Sequence, residues 1–428
     1  MIGLFFSWII IYLFCKWLKI KYDHVVSGAY DAIRVVVPTL CLLMAIGVMI
    51  GTWLQSGTIA TIIAGGLKLI DPTWLLPLTL VFCAVLSLVT GTSYGSVGSA
   101  GVAMMAIGNA MGINPGMVAG AVICGAMFGD KLSPLSDTTN LAPAVAGAKL
   151  NDHVRSMLWT TLPTFVISLV LFTLLGISQT SGGYEEGNLL VYIDALRGEF
   201  KLGLLTLLPA AAIIVLLLLK VNAIVSLGLS AVCAGAVSFF YQGATLQSII
   251  RVAYNGYSTQ IEEAILKTIL NRGGMSSMLQ YVAIICFAVG MGGMLDRLGV
   301  LGNLLNAIVN HINSDGSLIA ASLLVGYVTS LISCSQPMSH VLTGNMMKPL
   351  FKSRKIAPEI LSRTLEDAGT LSGPMIPWHG YCVYMAGTLG VAWSVFFPYL
   401  FLLYLTPLFS IFYGFTGISI RHTDDAQN

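Results

Sequence analysis

Charge is what this sequence has least of. Of its 428 residues only 9% are Asp, Glu, Lys or Arg, 21 of them basic and 19 acidic, against roughly 25% in soluble domains. So few charges cannot clothe a water-soluble fold of this size, which excludes a soluble enzyme, a nucleic-acid binder and a disordered scaffold. The net charge of +2 offers no steering field for an anionic partner. Also missing are a phosphate-binding G-x-x-x-x-G-K-[ST] loop and any C-x-x-C metal spacing; the 8 cysteines are scattered singly through apolar tracts, as packing residues are. The first helix has no basic n-region and no small-residue cleavage site before Lys16 and Lys19, so it reads as a retained helix, not a signal peptide.

What remains is apolar. Hydrophobic residues make up 56% of the chain and the mean hydropathy is +0.85. No Asp, Glu, Lys, Arg or His occurs in 35–67, 72–129, 156–184, 202–219, 221–250, 273–295 or 316–339, and His379 is the only such residue in 368–420. A spanning helix needs about 20 apolar residues, so these tracts with Ile2–Ile20 hold about 10–12 crossings. The alternation of a transmembrane barrel is absent. The expected fold is an all-α polytopic membrane protein.

An ungapped self-match at an offset of 243 residues pairs Thr92 with Ser335, Ser96 with Ser339, Pro115 with Pro358, Pro134 with Pro377 and Gly147 with Gly390. It divides the chain into an N-terminal helix and loop (1–29), a first repeat (30–176), a connecting part (177–272) carrying the acidic pair Glu185 and Glu186, a second repeat (273–415) and a tail (416–428). The linker Lys348–Lys355 is basic and should face the cytoplasm. Its counterpart Met105–Gly112 is uncharged, so the repeats should be inserted with inverted topology, a common transporter architecture.

Each repeat is interrupted by two polar patches. Thr90–Ser96, with Thr92, Ser93 and Ser96, is answered by Ser330–Gln336, with Ser335 and Gln336. Gly129–Asn140 is answered by Gly373–Cys382, with His379. Gly, Ser and Pro at this density predict broken helices or re-entrant hairpins, tolerated in a membrane only where they are buried in protein or line a wet cavity. Asp130 and Asp137, flanked by uncharged tracts, are the strongest candidates for function. Ser133, Ser136, Thr138 and Asn140 add hard oxygen donors suited to Na⁺ held by the two aspartates. The structural alternative has Asp130 paired with Lys131 and Asp137 capping a half-helix. Asp367 and Thr370 join the candidates, against a local ion pair of Arg363 with Glu366 and Asp367. His379 has a titration range suited to a proton relay. Gly91–Gly95 matches the G-x-S-x-G nucleophile elbow but lacks the preceding strand that motif needs.

Gly129-Asp130-Lys131-Leu132-Ser133-Pro134-Leu135-Ser136-Asp137-Thr138-Thr139-Asn140 resembles the signature of the NhaC family of Na⁺/H⁺ antiporters. Gly51–Thr58, Leu361–Thr370 and Pro377-Trp378 are similar to further family stretches, and the resemblance runs from about Gly28 to about Tyr413. It implies an inverted-repeat transporter with paired hairpins, not an enzyme, exchanging cytoplasmic Na⁺ for external H⁺ without a cofactor in the cytoplasmic membrane. Some family relatives instead exchange malate and lactate with H⁺ and Na⁺, and Lys131, Asn140, Gln336 and His379 are the groups that would serve such an anion. The expected partners are Na⁺, H⁺ and lipid, with no nucleic acid and room for a homodimer.

Overall fold

The computed structural model describes residues 2–180, 187–300 and 312–423. Glu185 and Glu186, expected in an acidic loop, lie outside these, as does the end of the tail. Within lipid a backbone satisfies its polar groups only by helical or closed-barrel hydrogen bonding, and the described residues are helical with a single isolated bridge, Ile356 to His422. In order they form α1 (Ile2–Trp17), α2 (Tyr22–Gln55), α3 (Thr58–Leu69), α4 (Pro72–Thr90), α5 (Ser93–Ser96), α6 (Val102–Ala110), α7 (Pro115–Leu132), α8 (Asp137–Ala146), α9 (Leu150–Thr180) and α10 (Gly187–Glu199). There follow α11 (Leu208–Leu218), α12 (Ala223–Val237), α13 (Leu246–Asn255), α14 (Ala264–Leu270), α15 (Met275–Arg297), α16 (Asp315–Ser333), α17 (Gln336–Ser353), α18 (Pro358–Leu365), α19 (Gly380–Leu389), α20 (Trp393–Phe396) and α21 (Phe401–Thr416).

Six of the described helices are long and apolar enough to cross a membrane, and three bent pairs raise the number to 9. Helices α1, α3 and α21 are also apolar but shorter, with 10–17 residues. Leu162, Val166, Val170 and Leu174 recur every fourth residue on α9 and are all exposed, an outward apolar stripe that suits a helix solvated by lipid.

Element boundaries recur at the 243-residue offset. Helices α4 and α16 begin and end at equivalent positions and both stop at a left-handed residue, Gly91 (φ 68°) and Cys334 (φ 55°). The next residues, Thr92 and Ser335, are extended N-caps. Helices α7 and α18 both start on proline, and α8 and α19 both end at a left-handed glycine, Gly147 and Gly390. The two halves differ where α7 runs unbroken to Leu132, whereas α18 passes into a π-helical segment, Glu366–Thr370.

Helix α7 lies directly on α4. A Cβ at Gly125 or Gly129 would overlap the carbonyl oxygen of Leu80 or Ala84, so only glycine permits this approach. Gly125→Val should therefore destabilise the protein by about 1–3 kcal/mol or more. The check is the melting temperature of the detergent-purified variant; an unchanged value would mean that the helices separate freely here.

Candidate functional site

The polar patch Gly129–Asn140 breaks one helix into α7 and α8, whose axes differ by 49°. Its side chains satisfy the backbone that the break exposes. Thr139 Oγ1 donates to the carbonyls of Asp130 (3.1 Å) and Lys131 (3.0 Å). Asn140 Nδ2 donates to those of Pro134 (2.9 Å) and Ser136 (2.7 Å). The Ser133 hydroxyl accepts from Leu135 N at 3.3 Å. Ser136 and Thr138 hydroxyls lie 3.1 Å apart. Ser133 and Asn140, expected as ion ligands, are thus engaged in holding the turn.

Asp130 is buried and accepts a hydrogen bond from the Ser93 hydroxyl, which in turn accepts from the phenol of Tyr381. Tyr381 lies 288 residues from Ser93, so this hydroxyl chain ties the break of the first half to the N-terminus of α19 in the second. Tyr94 packs beside it, with ring centroids 4.6 Å from Tyr381 and 4.5 Å from Tyr384. Ser96 donates to the carbonyl of Thr92 at 3.0 Å and supports the same turn.

In front of this chain opens a cavity of about 320 Å³ lined by Thr39, Thr92, Tyr94, Asp137, Thr138, Asn222, Ser335, Gln336, His379 and Tyr381, among others. Among the described residues, Asp137 is its only lining carboxylate and no Lys or Arg lines it. Asp137 is exposed towards this space, not buried in protein as expected. The aspartate is the first residue of α8, behind Ser136 as N-cap. The N-termini of α8, α17 and α19 all border the cavity. Two polar atoms of lining residues are buried without a hydrogen-bond partner, Ser335 Oγ and His379 Nε2. His379 caps α19 by accepting from Tyr381 N at its Nδ1 (3.0 Å). In a neutral ring that assigns the proton to Nε2, making it a donor and not an ion ligand.

Asp367 and Thr370 lie elsewhere. Lys131 and Asp367 form an ion pair with both side chains at 0% exposure, and Thr160 donates to the same Asp367 oxygen at 3.2 Å. The expected alternative pairing of Asp130 with Lys131 is not made. Nor is the local pair of Arg363: its Nη1 donates to the Ser419 hydroxyl at 3.0 Å, and neither carboxylate oxygen of Glu366 has a hydrogen-bond partner. Adjacent residues on a helix point about 100° apart, so Asp130 and Lys131 serve different neighbours. Thr370 meets His340 Nε2 at 3.1 Å and accepts at its carbonyl from Gln336 Nε2 at 2.8 Å. Tyr381 was missed by the sequence reading, although the 243-residue register sets it opposite Thr138. Thr39 and Thr160 carried no such signal.

Broken helices enclosing a polar cavity within a polytopic helical bundle define a membrane transporter. The chain belongs to the Na⁺/H⁺ antiporter family, whose profile matches residues 125–418, and is a multi-pass cell-membrane protein. It is 36% identical over 417 residues to the Na⁺/H⁺ antiporter NhaC of Alkalihalophilus pseudofirmus, covering 97% of this chain and 90% of that protein. It is 35% identical to the malate-2H⁺/Na⁺-lactate antiporter of Bacillus subtilis, covering 99% and 90%. The arginine/ornithine antiporter ArcD of Halobacterium salinarum is 33% identical, with 95% and 84% covered.

Proposed function

We propose that this chain exchanges cytoplasmic Na⁺ for external H⁺, with Asp137 as the carboxylate that takes either ion. The observation that carries the reading is the charge of the cavity: among the described residues it is lined by one acid, Asp137, and by no Lys or Arg. A carboxylate in such a place is costly as a bare anion and is held with a cation or a proton, but not with both. Thr92, Thr138 and Ser335 supply hydroxyl oxygens for a hard cation. Asp130, linked through Ser93 to Tyr381, connects the occupancy of this site to the second half. The recurrence of element boundaries supports two repeats, and we assign them inverted topology from the basic linker Lys348–Lys355. Their relative movement would expose the cavity to each side in turn.

One observation favours a second reading, exchange of organic anions. Three helix N-termini and the Nε2 donor of His379 border the cavity, and these suit a carboxylate substrate. Proteoliposomes loaded with a pH dye and pulsed with NaCl, then with malate or lactate, separate the two. Proton flux with NaCl alone is expected; flux that requires the acids would replace the cation reading.

The topology has its own test. A cysteine placed at Lys352 should stay unlabelled by an impermeant thiol reagent in whole cells, while one at Asn109 should react. Labelling of both from one side would end the inverted arrangement.

A further inference from the structure

Between α10 and α11 the chain turns by 88°, the angle separating Val191–Glu199 from Leu204–Leu218. Two segments at this angle cannot both follow the bilayer normal, so the chain makes an elbow here. In this elbow, against α3, sits a second cavity of about 480 Å³, remote in the chain from the Asp137 site. Three cations line it: Lys68 from the last turn of α3, Arg197 from α10 and Lys201 from the elbow. Among the described residues, no Asp or Glu lines it.

Among the described residues, none of these charges is spent on a strong internal partner. Arg197 meets Asp194 one helical turn back at 3.8 Å, an exposed pair of the kind that contributes little. Lys201 Nζ donates to the carbonyl of Tyr241 at 3.3 Å, which leaves its charge uncompensated. Lys68 has no carboxylate partner among the described residues. Three like charges converging on one space repel each other, and an anion seated there would relieve that repulsion. The surroundings say which kind of anion. Leu69 and Leu204, next to Lys68 and to the elbow, are each 86% exposed, and Leu205 and Leu208 are exposed beyond them. Trp74, also exposed, follows on at the start of α4, the kind of residue found at the headgroup level.

We propose that this elbow binds the phosphate of an anionic phospholipid headgroup, with the acyl chains running down the exposed leucines. A free anion would use the cations but leave the leucines without a role.

The test uses the full-length protein purified in mild detergent, with phosphatidylglycerol as the probe. Lipid retention is read by native mass spectrometry and stability by melting temperature. Wild-type protein should retain phosphatidylglycerol in preference to phosphatidylcholine and melt higher with it. Each basic residue near an anionic lipid surface is worth roughly a fivefold change in affinity. The triple variant Lys68→Gln, Arg197→Gln, Lys201→Gln should therefore lose about a hundredfold, and the double variant that keeps Lys201 an intermediate amount. All three side chains are exposed, so the variants should fold, and unchanged melting without lipid verifies this. Equal retention by wild type and triple variant would overturn the proposal, as would equal stabilisation by phosphatidylcholine. Stabilisation by inorganic phosphate to the same extent as by the lipid would also overturn it, in favour of a free-anion site.

Discussion

Asp137→Asn should abolish Na⁺-driven proton movement and leave a folded protein in the membrane. The substitution keeps the shape of the side chain and removes the only carboxylate that lines the central cavity among the described residues. A unit charge about 4 Å from a cation is worth about 4 kcal/mol at an effective dielectric constant near 20, close to a thousandfold in Na⁺ affinity. The oxygen that would take the proton in place of Na⁺ loses its charge with it, so both directions of exchange should fail together. Because Asp137 is exposed to the cavity and makes no ion pair with a neighbour, its loss should leave the melting temperature nearly unchanged. Proton flux in proteoliposomes, pulsed with NaCl, measures the first effect. Wild-type flux in this variant would remove Asp137 from the ion path. Asp130→Asn should differ, because Asp130 accepts from Ser93 within the chain that ends at Tyr381. That variant should lose stability as well as transport.

The helices and their breaks were legible in the sequence because lipid imposes them. Charge-free tracts of twenty residues have one stable backbone solution, and Gly129–Asn140, with Pro134 at its centre, does not continue a helix. The internal register was legible too, down to the residues that end α4 and α16. Partners were not. Asp130 has Lys131 beside it in sequence, and Glu366 and Asp367 have Arg363 at helical spacing, so local pairing was the natural expectation. Asp130 and Lys131 instead point to different sides of their helix, and their partners, Ser93 and Asp367, come from distant segments. Lys131 finds Asp367 at a separation of 236 residues, and the 243-residue register gives no hint of it, since the repeat positions of both are uncharged. Hydroxyl-rich composition likewise marked where the site lies without separating the residues that face the cavity, such as Thr92, from those that hold the turn, such as Ser133.

That buried ion pair should show a large stability effect, as both of its side chains are at 0% exposure. Lys131 closes α7 and Asp367 sits in the π-helical segment after α18, so the pair ties the two halves together. Both charges are withdrawn from solvent, and removal of either leaves the other without its ion-pair partner. Lys131→Met leaves Asp367 with the Thr160 hydroxyl as its only hydrogen-bond donor. Asp367→Leu leaves an ammonium in the same enclosed space. Breaking a buried pair in this way costs about 3–5 kcal/mol, so each single variant should melt well below wild type and be recovered in lower yield. Removing both charges together is a different perturbation, because neither member of the pair is left behind without the other. The double variant Lys131→Met, Asp367→Leu should therefore be more stable than either single one and approach the wild type, giving a coupling energy of about 3 kcal/mol in a double-mutant cycle. Melting temperatures of the four proteins in one detergent decide the matter. If the single losses simply add in the double variant, the two side chains do not form a closed pair in the folded protein, and α7 is joined to the second half by the Tyr381, Ser93 and Asp130 chain instead.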